Sequence, residues 1–401
     1  MKHLLLAAAI GAASLGATTG VALAADPIKV GLSGPFTGGS SAMGVSMRDG
    51  VRLAVGEINA KGGVMGRPIV LVERDDEAKN EVGVQVAQEL INKEKVVATL
   101  GFINTGVSLA SQRFYQEAEI PVINNVATGS QISKQFPAPN YVFRTSAPDG
   151  VQSSMIVEEA IGRKGFKKVA ILADSTNYGQ FGKDDLLKAL TAKGITPVAI
   201  EKFNIKDTDM TSQLLKAKEA GAEAVLTYAI GPELAQIANG MAKLGWKVPM
   251  IGSWTLSMGS YIDAAGPNAD GAIMPQTFIQ ASTTPKRKAF IEAYQAAYKV
   301  DRIPSPVSAA QGYDSVYLLA AAIEQAKSTD GPKIREALES LKTKVEGVVT
   351  TYDQPFSKDD HEAISDNIPV MGIVKGGRVE AVDMKDLEGD KAFRVKPKPK
   401  S

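Results

Sequence analysis

The sequence predicts an α/β protein built as two lobes, and three observations predict it. Short β-branched runs alternate with helix-length amphipathic segments, the pattern of βα units on a parallel sheet. That alternation runs through one block and restarts after Arg144, giving a second block of similar size. Finally, 401 residues, 44% of them hydrophobic, supply enough apolar surface for two cored domains. A cleft between two such lobes is a favoured place for a ligand.

In the first block, strands are expected at 28–32, 69–73, 96–101 and 121–124, with helices at 46–59, 81–93 and 109–118. Asn80, just ahead of Glu81, is positioned as an N-cap whose side chain accepts from a first-turn N–H. The second block predicts helices at 151–162, 181–193, 210–220 and 232–244 and strands at 168–173, 197–203, 224–228 and 249–252. Pro232 suits a first helical turn, where its missing N–H would have no partner anyway. Helices at 286–298, 311–326 and 332–341 follow, then β-like stretches at 345–351 and 368–374. Residues 391–401 end in alternating Lys and Pro and read as a disordered tail.

Ahead of these elements stands a segment for export. Met1-Lys2-His3 precedes an Ala-rich apolar run that closes on Ala22-Leu23-Ala24, an A-x-A site. Residues 1–24 therefore read as a signal peptide cleaved after Ala24, not as a membrane anchor, because Gly11, Gly16 and Gly20 dilute the run and no basic cluster follows. No cysteine is available for lipidation at that site. Losing Lys2 leaves 44 basic against 44 acidic residues, and His361 as the one histidine. Its polar run, Ser357-Lys-Asp-Asp-His-Glu362, reads as a solvated loop. The expectation is a freely diffusing periplasmic monomer.

Composition excludes much chemistry. Without cysteine there is no thiol nucleophile, redox pair, Fe–S cluster or Cys/His zinc site, so neither metal nor cofactor is expected. The balanced charge leaves no footprint for nucleic acid or an anionic membrane. Asp75 and Asp76 are adjacent acids on an extended segment, so they point to opposite faces and read as solvated loop charges. No G-x-S-x-G elbow is present, and no enzyme is expected.

In open α/β sheets, ligands bind outside the carboxyl ends of the strands. Five loops occupy such positions: Gly31 to Gly39, Gly101 to Ser108, Asn124 to Ser130, Asp174 to Gly179 and Gly252 to Ser257. Gly31 and Gly34 lack dinucleotide spacing, and there is no phosphate-loop motif. Thr105 and Thr128 suit a carboxylate, each offering an O–H beside free N–H groups at a helix start, although either serves equally as a helix cap.

Pro27-Ile-Lys-Val-Gly31-Leu-Ser-Gly-Pro-Phe-Thr-Gly38, then Gly50-Val-Arg-Leu-Ala54, Glu57-Ile-Asn59, Gly62-Gly63 and Gly66-Arg67, carry a family resemblance. So do Tyr141-Val-Phe-Arg144, Tyr178-Gly179, Gly312-Tyr-Asp314 and Val345-Glu-Gly347. Across 26–385 the chain closely resembles the periplasmic substrate-binding proteins of branched-chain amino-acid-type ABC transporters, the leucine/isoleucine/valine-binding family. The resemblance implies a type I periplasmic binding protein, two Rossmann-like lobes joined by a three-crossing hinge. The N-terminal lobe would hold 26–146 and 277–356, the C-terminal lobe 147–276 and 357–390. Ligand would close the cleft, and the closed form would dock on the inner-membrane permease.

Carried over by position, Thr105, between Asn104 and Gly106, falls where the family places a carboxylate-binding Ser. Thr128, next to Ala127, matches a second carboxylate-binding Thr, and Tyr178 matches a Tyr that lines the site. Amino-acid binders of the family set a Glu against the ligand ammonium, and here Trp254 stands in its place. A buried ammonium without an anion is costly, whereas Trp254 suits stacking on an aromatic acid such as a benzoate derivative. Packing in the lobe core is the other use of Trp254. The expected function is capture of a small carboxylate, an aromatic or other non-amino acid preferred. The alternatives are a neutral amino acid, with Glu233 or Asp314 as the anion, and a ligand sensor serving a regulator or receptor.

Overall fold

The computed structural model describes residues 26–281, 284–387 and 394–398. The expected signal peptide lies outside them. Strands β1 (Ile28–Gly34), β2 (Ile69–Asp75), β3 (Ala98–Gly101), β4 (Val122–Asn124) and β5 (Val142–Arg144) form a parallel sheet in the order β2-β1-β3-β4-β5. Every residue of β1 except Lys29 is buried, as a strand covered on both faces requires. Helices α1 (Ser41–Ala60), α2 (Asn80–Glu89) and α3 (Thr105–Glu117) make the crossovers. Asn80 is the first residue of α2 and gives no side-chain cap, contrary to the N-cap expected.

The second sheet repeats this plan. Strands β6 (Val169–Asp174), β7 (Ala199–Phe203), β8 (Ala224–Tyr228), β9 (Met250–Gly252) and β10 (Ile273–Gln276) run parallel in the order β7-β6-β8-β9-β10. Five helices accompany them: α4 (Asp149–Val157), α5 (Asn177–Ala192), α6 (Thr211–Glu219), α7 (Gly231–Lys243) and α8 (Gly259–Ala265). Each sheet reverses its strand order once, between β1 and β3 and between β6 and β8. Those switch points are where doubly wound sheets take ligands.

The chain then returns to the first sheet. After α9 (Pro285–Tyr298), helix α10 (Pro306–Ala326) packs along α1 so closely that a Cβ on Gly50 would sit 2.1 Å from the Ala309 carbonyl oxygen. Only glycine permits that approach. Helix α11 (Gly331–Glu339) and a short hairpin, β11 (Val345–Glu346) and β12 (Thr351–Tyr352), follow. Strands β13 (Val370–Lys375) and β14 (Arg378–Ala381) then add antiparallel to β10 at the edge of the second sheet. The chain thus passes between the sheets three times, after β5, after β10 and after β12.

Two expectations are corrected here. His361 is buried, not solvated: its ring stacks on Phe143 with centroids 4.0 Å apart, and Nδ1 lies 2.9 Å from the Val142 carbonyl. It lies on the third crossing, where the Arg144 N–H donates to the His361 carbonyl at 2.9 Å. Of the tail expected to be disordered, 391–401, residues 394–398 are held by hydrogen bonds, while 391–393 and 399–401 lie outside the described residues. Lys396 Nζ reaches the Pro355 carbonyl at 3.0 Å and Asp360 at 2.6 Å, and Asn367 Nδ2 donates to the Val395 carbonyl at 3.0 Å. Lysine is held there because the Pro355 and Asp360 oxygens and the Glu362 carbonyl converge on its ammonium.

Candidate ligand-binding cleft

The carboxyl ends of the two sheets face each other, and the loops expected to carry the site meet between them. Two small adjoining chambers, each of about 10 Å³, share Thr128 and Trp254, as in a cleft already drawn closed. One is bounded by Ile103, Asn104 and Thr128 from the first sheet and by Tyr178, Ile230 and Thr255 from the second. The other adds Gln152, Gln276, Thr277 and Gln311. Thr105 and Gly106 line the mouth instead, a groove of about 280 Å³ shared with Asn104, Asn177 and Tyr178.

Local sequence explains each placement. Thr105 opens α3 directly after β3, its hydroxyl accepting from the Gly129 N–H at 3.2 Å, which ties the two carboxylate-suited loops together. Gly106 wedges between lobes: a Cβ there would lie 2.8 Å from Asn80 Oδ1 and 2.9 Å from Asn177 Oδ1. Ala127 is buried behind Thr128, with its N–H donating to the Phe102 carbonyl at 2.9 Å. Tyr178, in the first turn of α5, donates from its hydroxyl to Ser253 Oγ at 2.7 Å. Its ring packs 5.2 Å from that of Tyr228.

Trp254 sits on a single turn after β9 and is only 6% exposed. Its backbone N–H donates to Gln152 Oε1 at 3.0 Å, and its carbonyl accepts from Ser257 Oγ at 2.7 Å. The indole Nε1–H has no partner. A buried indole donor ordinarily finds one, so this N–H is left with its hydrogen-bonding capacity unused. Asn104 Oδ1 and Gln311 Oε1 are likewise buried and unpaired.

Among the described residues, no charged side chain lines either chamber. An anion held there relies on hydroxyls, amide groups and the start of α3, where the helix dipole favours negative charge. Neither anion proposed for an ammonium is available. Glu233 accepts from the Lys206 N–H at 2.6 Å, and Asp314 accepts from the N–H groups of Val348 and Val349 at 2.7 and 2.9 Å. Both carboxylates hold loops, since a buried acid is retained where backbone donors converge on it.

Asp76 also departs from its expected solvated state. It is fully buried, accepting from Ser33 Oγ at 3.1 Å and the Ala78 N–H at 3.0 Å, and burial pushes its carboxyl up to about 7. Asp75 instead fastens the loop after β1, accepting from Phe36 N–H at 2.9 Å and Thr37 Oγ1 at 2.7 Å. Gln152, Gln276, Thr277 and Gln311 were not anticipated in the site. They come from α4, β10, the second crossing and α10, and no local motif marks them.

Two repeated α/β sheets closing on a buried, uncharged cavity define a two-lobed solute-binding protein. The family described as Periplasmic binding protein matches residues 27–378, and the chain belongs to it. A Leu/Ile/Val-binding protein homolog from Brucella melitensis is 29% identical, over 80% of this chain and 85% of its own. A type 1 periplasmic binding protein from Bordetella pertussis superposes with a TM-score of 0.80 at 30% identity, over 89% of this chain and all of that one. A branched-chain amino acid transporter substrate-binding protein from Streptococcus pneumoniae, solved with isoleucine, gives 0.78 at 26% identity, over 88% and 98%. The family consists of solute-binding proteins that serve ABC transporter permeases, so this protein binds its ligand and is not an enzyme.

Proposed function

We propose that the protein captures a small carboxylate lacking an ammonium group, with an aromatic acid of benzoate size preferred, and presents it to an inner-membrane permease. One observation carries this reading: the chambers contain no carboxylate to face an ammonium, while a buried indole with a free N–H stands at their junction. Thr128, with Thr105 at the mouth, takes the ligand carboxylate. Trp254 stacks on its ring or donates to a ring substituent. The lobes are 26–146 with 277–356 and 147–276 with 357–390, and the three crossings between them form the hinge. Export through cleavage after Ala24 would place the protein in the periplasm, as expected of this family.

A branched-chain amino acid is the second reading. It is favoured by the names of the relatives and by the isoleucine bound to the Streptococcus protein. The two readings separate by fluorescence. The chain has two tryptophans, Trp246 and Trp254, and only Trp254 lines the chambers. Titration with benzoate should change the emission, and a Trp254→Phe variant should lose that change. A change with leucine and none with benzoate or its hydroxylated analogues favours the amino acid.

A further inference from the structure

The carboxylate reading leaves a buried acid beside Thr128 unexplained. Asp149, the first residue of α4, follows the first crossing directly and is completely buried. Its N–H donates to the Thr128 carbonyl at 2.8 Å, and its Oδ1 accepts from the Tyr228 hydroxyl at 3.0 Å. Its Oδ2 has no hydrogen-bond partner, and the Thr128 side chain acts on the carboxylate from beside it. A ligand carboxylate at Thr128 would thus lie close to a second negative charge, in chambers lined by no cation. Two like charges in one dry site do not both remain ionised.

Among the described residues, the cation that acts on Asp149 is already paired. Arg144, on β5, is engaged with Glu362 at 2.7 Å and with the Gly129 carbonyl at 2.7 Å. Asp185, on α5, accepts from Ser130 Oγ at 2.7 Å and adds negative charge. Tyr178 and Tyr228 are buried phenols whose ionisation is pushed far up. Asp174, at the end of β6, is also buried with an unpartnered Oδ2, but its carboxylate accepts from Thr176 within its own loop and makes no bond to Thr128. Asp149 alone connects to a chamber residue and takes up a proton near neutrality, because burial pushes its carboxyl up to about 7.

We propose that Asp149 is a positioning residue for the ligand carboxylate: protonated, it donates to Thr128 Oγ1 and frees the Thr128 proton to face the ligand, so that an anionic ligand enters with one proton from solvent. The site stays near neutral, and the hydroxyl points toward the cleft. This rests on the carboxylate reading above.

The test is calorimetry of the full mature chain with benzoate in buffers of different ionisation enthalpy, from pH 6 to 9. About one proton should be taken up per benzoate above neutrality, and affinity should fall about tenfold per pH unit. Asp149→Asn, whose amide makes the same donation to Thr128, should bind benzoate with a flat profile. Benzoate bound without proton uptake, or the same profile retained in Asp149→Asn, overturns the inference and leaves the carboxylate reading standing. Absence of benzoate binding at every pH, with leucine bound, overturns both. The proton count on the unaltered chain decides the matter even if the variant fails to fold.

Discussion

Arg144, at the end of β5, and Glu362, on the third crossing, form an ion pair in which Nε meets Oε2 at 2.7 Å and the arginine is fully buried. The same arginine reaches the Gly129 carbonyl at 2.7 Å. The strand leaving the first sheet, the segment entering the second and the loop of Thr128 are thereby fastened at one point.

Removing one partner should be severe. Glu362→Ala leaves a buried guanidinium without its anion, and the expected loss is about 3–5 kcal/mol of stability. Chemical denaturation measures it. Glu362→Gln, which retains an acceptor, should lose less.

Trp254→Ala should weaken an aromatic acid by about 2 kcal/mol, roughly thirtyfold, by removing a buried aromatic wall. Trp254→Glu should weaken benzoate further by adding an anion, and should raise the affinity for leucine. Competition titration with both ligands follows the exchange of preference.

Thr128→Val keeps the shape and removes the hydroxyl. A hydrogen bond to a charged group contributes about 1.5–3 kcal/mol, so benzoate affinity should fall at least tenfold. Thr105→Val should cost less, because Thr105 lines the mouth and its hydroxyl also serves the Gly129 N–H. Unchanged affinity in the Thr128 variant removes it from the carboxylate site.

Asp76 gives a pH dependence of stability with a fixed sign. Its carboxyl is raised to about 7 in the fold by burial, against about 4 in the unfolded chain. Between those values the folded state holds more protons, so this group makes stability fall as pH rises from about 4 to about 7, by at most about 1.4 kcal/mol per unit. Asp76→Asn should flatten that contribution in melts recorded across the range. Its amide can still donate to Ser33 Oγ and accept from the Ala78 N–H.

Legibility in the sequence followed the reach of each signal. The strands that open βα units, such as Ile28–Gly34 and Ala224–Tyr228, are mostly apolar and β-branched, and the sequence shows them at 28–32 and 224–228. Strands Val142–Arg144 and Ile273–Gln276 were missed as elements, because three or four residues are too short to show a period. The short helix Gly259–Ala265 opens with glycine and serine and has the same difficulty. Burial of Asp76 and His361 was invisible because both stand in polar runs. Their partners, Ser33, Val142 and Phe143, are distant in sequence. The loops of Thr105, Thr128, Tyr178 and Trp254 were legible since they follow strand ends. The glutamines of the second chamber were not, since only the folded crossings bring α4, β10 and α10 together.

Calorimetric titration of the purified chain with benzoate and with leucine, side by side at pH 6.5, tests the central claim most directly. The account predicts saturable binding of benzoate or a hydroxylated benzoate with one ligand per chain, and leucine weaker by tenfold or more. Tight leucine binding with no heat from any aromatic acid would contradict it.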